Sequence, residues 1–357
     1  MKYLQNTFFS DNFNLLFDNI KNNSLIITTK INYLSLFQNH SFLKNFKNSK
    51  VDFIVINNSK IDINNIKIIF NDIRNKSFSN LISVGGGATH DLVKQLWDKY
   101  RSLDFNKKKN IKLIFIPTIL GSGSEVTNFA AIWNFKDKQK SSIVIKNNYI
   151  YWIFFINSLI VQNKNLFSKK ISIIDCLIQM FESIWNINSN TQLRNFAINS
   201  IKALIIDLEK KDFLELKTKR DSKKISIHSY NSGYLINKTK TSLCHSISYP
   251  LTNFFGIPHG YACAFSFFAV YEFNLNNREN NLIDVKKNLD EFDTLNRIKK
   301  IFNRFKINYF LKNKIDPNNL KKIIKFMKSE RSNNNIIKFS DKDLLLIINK
   351  SIKNLDL

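Results

Sequence analysis

Residues 83–94 read SVGGGATHDLVK and hold three of the chain's eight glycines in a row. The run closes a short apolar stretch, LISV at 81–84, and opens a helical one, HDLVKQLWDKYRSL at 90–103. A strand that turns through glycine straight into a helix is the building unit of a parallel α/β sheet. Strands of the same kind stand on either side of it: SLIITT at 24–29, VDFIVIN at 51–57 and IKLIFIPT at 111–118. From about Lys164 the pattern changes. Apolar residues now recur at spacings of three and four, as in IIDCLIQMFESIW at 173–185 and LKKIIKFMKSE at 320–330, which is the period of a helix. The expectation is an α/β domain over residues 1–162 and an all-α domain over 163–357, with the stretch from Tyr151 to Lys164 joining them.

Composition sets the outer limits. The chain has 357 residues, of which 44% are hydrophobic, enough for two cores. It has no continuous apolar run of about 18 residues, so no membrane span is expected. The opening MKYLQNTFFSDNFN lacks the apolar block of a signal peptide. Cys176, Cys244 and Cys263 form no paired pattern, which fits a reducing cytoplasm. The net charge of +26 comes from lysines spread along the whole chain. No basic stripe interleaved with aromatics stands out, so a solvated surface is the expectation and nucleic acid is not an expected partner.

Where glycine is this scarce, its placement needs a backbone reason. The glycines fall at 85–87, at 121 and 123, and at 233, 256 and 260. IPTILGSGSEVTNFA at 116–130 again follows a strand. Consecutive backbone N–H groups at a helix N-terminus suit a pyrophosphate. Two such loops at the ends of parallel strands would share one crevice, where dinucleotides sit in open α/β sheets.

The third cluster lies in CHSISYPLTNFFGIPHG, 244–260, which carries two of the five histidines and two of the four prolines. His245 and His259 are 14 residues apart. On one straight helix they would be about 21 Å apart, at roughly 1.5 Å per residue, and could not hold one ion. Pro250, Gly256 and Pro258 are expected to break the helix and let the chain return.

Taken together, the residues Gly85-Gly86-Gly87-Ala88 with Asp91 and Lys94, Pro117-Thr118 with Gly121-Ser122-Gly123-Ser124-Glu125, and the HSISYPL and IPHG stretches resemble the iron-containing (group III) alcohol dehydrogenase family. The resemblance implies a Rossmann-like first domain, a metal-binding helical second domain and a dehydroquinate synthase-like fold. It implies a nicotinamide cofactor held near Thr29, Gly86, Gly87, Ala88, Asp91, Thr118, Ser122, Ser124 and Lys140. It implies a metal, Fe(II) or Zn(II), held by Asp175, His245 and His259. Gln179 shares a helix face with Asp175 and stands where the family has a third histidine, so it either ligates weakly or yields its place. Tyr249 stands where the family has a proton-passing histidine, and a phenol can donate a proton. A homodimer is expected.

DCLIQMFESIWNINSN (175–190), HSISYPLT (245–252), VTNFAAIWNFKDKQK (126–140) and ERSNNN (330–335) resemble the phosphonoacetaldehyde reductase branch. That branch implies NAD(P)H-dependent reduction of phosphonoacetaldehyde to 2-hydroxyethylphosphonate in phosphonate biosynthesis. GYLINKTKTSLCH at 233–245 agrees, because Lys238 and Lys240 put cations shortly before His245. Lys240, Thr239 and Thr252 are the expected substrate contacts. NADPH is the expected cofactor over NADH, because Thr29 and Lys30 follow the first strand without an acid that would repel a 2′-phosphate. The rival readings are a dehydrogenase for an uncharged small aldehyde, a lyase related to dehydroquinate synthase, and a basic nucleic-acid binder.

Overall fold

The computed structural model describes residues 6–10, 16, 20, 23–38, 51–57, 61–103, 111–134, 136, 139–145, 151–162, 164–277 and 282–356. They fall into two compact units. The first comprises Met1–Asn165 with Glu215–Ile227, and the second Leu166–Leu214 with His228–Leu357. Inclusion of Glu215–Ile227 in the first unit was not foreseen.

The strands are β1 (Thr7–Ser10), β2 (Ser24–Thr29), β3 (Val51–Ile56), β4 (Asn80–Gly85), β5 (Lys112–Pro117), β6 (Phe129–Asn134), β7 (Gln139–Val144) and β8 (Tyr151–Ile156). The helices of the first unit are α1 (Lys30–Gln38), α2 (Ile63–Ile73), α3 (Gly87–Leu103) and α4 (Asn157–Gln162). Six strands form one parallel sheet in the order β1-β8-β5-β4-β2-β3, and β6 and β7 pair as an antiparallel hairpin. The central strands read as near-continuous apolar runs because both faces are covered. Ile26, Ile82, Val84, Ile114, Ile116, Phe154 and Ile156 share one core cluster across four of them.

This topology locates a crevice. From β2 the chain steps outward to β3, then crosses back over β2 to lay down β4. The direction reverses between β2 and β4, so their carboxyl ends, at Thr29 and Gly85, flank the switch point of the sheet. The stretch from Tyr151 to Lys164 is not simply a connector. Its first six residues, YWIFFI, are β8, seated between β1 and β5. A short apolar run of this kind carries no periodicity that separates strand from helix. The four-residue β1 and the β6–β7 hairpin were also not read from the sequence.

The second unit is helical. It contains α5 (Leu166–Ile184), α6 (Thr191–Glu209), the greater part of α7 (Lys219–Thr239), α8 (Leu243–Phe255), α9 (His259–Leu275), α10 (Ile283–Glu291), α11 (Thr294–Phe305), α12 (Ile307–Lys312), α13 (Pro317–Ile323) and α14 (Asp341–Lys353). α9, HGYACAFSFFAVYEFNL, is apolar nearly all round and is buried accordingly. Its Phe267 and Tyr271 pack on Phe181 of α5 and on Trp185 just past its end, with ring centroids 5.0–6.4 Å apart. Each such ring contributes roughly 1.5–3 kcal/mol through burial. This aromatic seam clamps α5 to α9, the two helices that carry most of the site described next.

Candidate metal centre and nucleotide crevice

The IPHG stretch brings the two histidines together by close approach of backbones. A Cβ on Gly260 would overlap the carbonyl oxygen of Ile171 and lie 3.2 Å from the amide of Asp175. Only glycine lets the first turn of α9 rest on the backbone of α5, and that contact sets His259 beside Asp175. The turn itself is made by Gly256, whose φ of 64° ends α8 in the left-handed region, and by Pro258 at the cap of α9. Pro250 does not break the helix as expected. It lies buried inside α8, and the helix continues to Phe255. Tertiary packing overrides a local penalty of about 3 kcal/mol. The chain returns at Gly256 and Pro258, the other two of the three expected breakers, and the His245 and His259 rings come within 5.2 Å, centroid to centroid.

Asp175, His245, His259 and Cys263 each offer a ligand atom, and all four atoms lie within 4.8 Å of one another. One carboxylate, two imidazoles and one thiol form a donor set suited to a divalent transition metal. Three of the four residues were expected. Cys263 was not, although its place one helical turn after His259 on α9 was a readable signal.

Glu182 was also missed. It lies seven residues after Asp175 on α5 and is fully buried. Its Oε2 accepts from His245 Nδ1 at 2.6 Å and from the Ser242 amide at 2.9 Å, and its Oε1 accepts from the His245 amide at 3.2 Å. The carboxylate thus caps the N-terminus of α8 and fixes the tautomer of His245. A proton held on Nδ1 is what would let Nε2 offer its lone pair to a cation; Nε2 lies 3.1 Å from Asp175 Oδ1. Burial pushes the Glu182 carboxyl up, but His245 and the two backbone donors outweigh it and hold it below the usual carboxylate range.

Gln179 was expected either to ligate weakly or to yield its place. Its Oε1 accepts from Ser232 Oγ at 2.5 Å, and its Nε2 donates to Asp175 Oδ2 at 3.2 Å. Both ends of the amide are engaged, and its Nε2 bond orients Asp175. Tyr249 stacks on His259, with centroids 5.8 Å apart and planes at 16°. The Arg331 guanidinium lies 5.6 Å from the Tyr249 ring centroid, and its Nη1 donates to Thr241 Oγ1 at 2.7 Å. Arg331 is held against α8 by the ERSNNN stretch. Ser329 meets Ser246 at 2.9 Å, and Asn334 Nδ2 donates to the Thr241 carbonyl at 2.9 Å.

The three expected substrate contacts separate. Thr239 Oγ1 is buried and donates into the end of its own helix, to the Leu235 carbonyl at 3.0 Å, with Ser183 Oγ at 3.1 Å. It braces the helix end. Lys240 is exposed on the turn before α8, with φ 65°, and its side chain makes no hydrogen bond or ion pair among the described residues. Thr252 Oγ1 is buried on α8 without a hydrogen-bond partner among the described residues.

In the first unit the two glycine loops meet. The Thr118 amide donates to the Gly85 carbonyl at 2.8 Å, and a Cβ on Gly87 would overlap Ser122 Oγ. Gly123, with φ 63°, turns the second loop beneath the start of α3. Gly86, Gly87, Ala88, Ser122 and Thr29 are at least partly exposed, on the side of the sheet where β2 and β4 end. Thr118 is buried and donates to Asn32 Oδ1 at 3.2 Å.

Asp91 and Ser124 turn inward. Asp91 accepts from Ser124 Oγ at 2.5 Å and from the Ala131 amide at 3.0 Å. Lys94, fully buried, reaches Asp91, Ser124, Thr127 and the Phe129 carbonyl at 2.5–3.2 Å. Burial lowers its pKa, and Asp91 only partly offsets this. These three residues stitch the loops into one floor; Asp91 and Ser124 among them were expected as cofactor contacts. Lys140 belongs to β7, but its side chain lies outside the described residues.

Residues 4–154 match the family model described as Iron-containing alcohol dehydrogenase. Residues 170–352 match that of the Fe-containing alcohol dehydrogenase family, C-terminal. Among curated proteins, 4-hydroxybutyrate dehydrogenase of Clostridium kluyveri is 28% identical over 210 residues, 55% of each chain. Phosphonoacetaldehyde reductase of Streptomyces viridochromogenes is 26% identical over 166 residues, 46% of this chain and 41% of that one. The chain spans about half the length of the curated relatives it matches. Among solved structures, an iron-containing alcohol dehydrogenase from Thermococcus thioreducens superimposes with a TM-score of 0.82 at 17% identity, covering 99% of this chain and all of that one.

Proposed function

The chain belongs to the iron-containing alcohol dehydrogenase family, and from that premise we propose that it is a metal-dependent NAD(P)H oxidoreductase that reduces a small aldehyde bearing an anionic group, phosphonoacetaldehyde being the leading candidate. The observation that carries this reading is the stack of His259, Tyr249 and Arg331. It sets a guanidinium one aromatic ring away from a residue of the metal cluster. An aldehyde whose far end is a phosphonate or carboxylate needs such a cation, and a guanidinium binds either acid in bidentate fashion. Two curated relatives are named for substrates that carry an acidic group, 4-hydroxybutyrate and phosphonoacetaldehyde.

The donor set fits a divalent cation. When bound, such a cation supplies a Lewis acid for a carbonyl oxygen, and a nicotinamide supplies hydride. The protein's own residues do the rest. Glu182 and Gln179 hold His245 and Asp175 in their ligating orientations. Gly86, Gly87, Ala88 and Ser122 offer backbone and hydroxyl donors to a pyrophosphate at the start of α3. The Tyr249 hydroxyl holds the proton that the reduced oxygen takes up. Arg331, with Lys240 and Thr252, binds the acidic end of the substrate.

Steady-state kinetics of an Arg331→Ala variant test this reading. A lost charge-assisted contact of roughly 1.5–3 kcal/mol raises KM for phosphonoacetaldehyde about ten- to a hundredfold. Propanal, which has no charge, should be turned over as by the wild type. Equal losses on both substrates would assign Arg331 to holding Thr241 and α8 in place and would remove the basis for an anionic substrate.

A further inference from the structure

The metal centre holds a thiol that the histidine–carboxylate pattern of the sequence did not call for, and the residue expected as fourth ligand is engaged elsewhere. We propose that Cys263 is the fourth protein ligand, as a thiolate, so that the centre is an Asp-His-His-Cys site with Gln179 outside it. This rests on the metal-dependent reading above but not on the choice of substrate.

Three observations carry it. Cys263 Sγ lies within 4.8 Å of ligand atoms from Asp175, His245 and His259, and the residue is fully buried. It follows His259 by four residues on α9, so both side chains project from one face of the same helix and reach one point. The Gln179 amide is spent at both ends, on Ser232 and on Asp175, and its oxygen would have to give up the Ser232 bond to ligate a cation. Bonds of about 2.3 Å to sulfur and about 2.0–2.2 Å to nitrogen and oxygen imply donor separations of roughly 3.3–3.6 Å in a tetrahedron. The four donor atoms, which lie within 4.8 Å of one another, would have to draw together to that size.

The consequence is a change of metal chemistry. A thiolate and a carboxylate together carry two negative charges, which neutralise a divalent cation. A soft sulfur donor favours zinc or cobalt over iron(II) in a set of this kind. The ion is bound to Cys263 by exchange, the thiol proton being released to solvent as the sulfur–metal bond forms.

The test uses the whole protein, stripped of metal with a chelator and reloaded with Co(II) or Zn(II). The cobalt protein should show a thiolate-to-cobalt charge-transfer band in the near ultraviolet. The band should vanish in Cys263→Ser and persist in Cys176→Ser, Cys244→Ser and Gln179→Ala. X-ray absorption on the wild-type zinc protein needs no variant and should report one sulfur at about 2.3 Å. A wild-type centre with only nitrogen and oxygen neighbours, or a band that follows Cys244 instead of Cys263, would overturn the assignment. Loss of stoichiometric metal uptake in the wild type would overturn the metal centre itself, a result distinct from either of these.

Discussion

The carboxylate of Glu182 makes the sharpest test of how this centre is built, because it touches no cation and yet controls one ligand. It accepts three hydrogen bonds inside a fully buried site, two of them at Oε2. A Glu182→Gln amide can keep its oxygen at the Oε2 position and so retain the Ser242 and His245 Nδ1 bonds. Its NH2 then faces the His245 amide, donor against donor, and the charge that strengthens the imidazole contact is gone. Glu182→Ala removes all three acceptors and frees the His245 ring to rotate or to carry its proton on Nε2, where it would block a cation. Residues that orient metal ligands typically change affinity 10–100-fold. The amide variant belongs at the lower end, about tenfold or ~1.4 kcal/mol, and the alanine variant at the upper end, about a hundredfold. Competition against a chelator of known affinity measures both, with circular dichroism confirming the helical fold. A pair of variants that melt earlier but bind metal within twofold of the wild type would show that Glu182 only caps α8 and that the tautomer argument is wrong.

Three further outcomes are expected. Gly260→Ala pushes α9 off the backbone of α5 at Ile171 and should abolish metal retention, read by elemental analysis of the purified protein; full occupancy would mean the helix contact is not what sets the cluster. His90 is fully buried against Ser83 and Phe115, and burial, with Lys94 nearby, lowers its pKa from 6.5 to about 3. Because the folded value lies below the unfolded one, unfolding takes up a proton between about pH 6.5 and pH 3. Stability is therefore greatest above that window and falls on acidification by up to ~1.4 kcal/mol per pH unit from this group. Urea midpoints at pH 6.5 and 5 should fall further apart in the wild type than in His90→Gln, and identical slopes would contradict the burial argument. Thr29→Asp, at the end of β2, introduces the charge that opposes a 2′-phosphate and should shift the NADPH-to-NADH ratio of kcat/KM toward NADH by at least about tenfold; an unchanged ratio would place the ribose elsewhere.

The legible parts of this molecule are those where one residue type has one physical use. Scarce glycines marked the two loops and the close approach at Gly260, and the histidine pair marked the centre. What stayed hidden depends on partners distant in sequence. Cys263 resembles any small buried side chain until α9 is laid beside α5. Glu182 reads as a stray acid in an apolar helix until α8 starts at its oxygens. Asp91 and Ser124 resemble ligand contacts by motif, but 33 residues of separation conceal that they bond to each other. Arg331 lies 90 residues from Thr241, and no periodicity connects them. β8 was lost for a different reason, since a fully covered strand has no alternation to announce it.

In the proposed reaction a metal held in the helical unit and an anionic aldehyde meet. The most direct measurement follows NADPH oxidation with phosphonoacetaldehyde on a single preparation whose metal content is determined before and after chelation. The expected result is about one divalent metal per chain, oxidation that is lost on chelation and restored by Zn(II) or Fe(II), and a kcat/KM for phosphonoacetaldehyde at least about tenfold above that for propanal. Turnover that survives complete removal of metal, or that favours propanal, would contradict it.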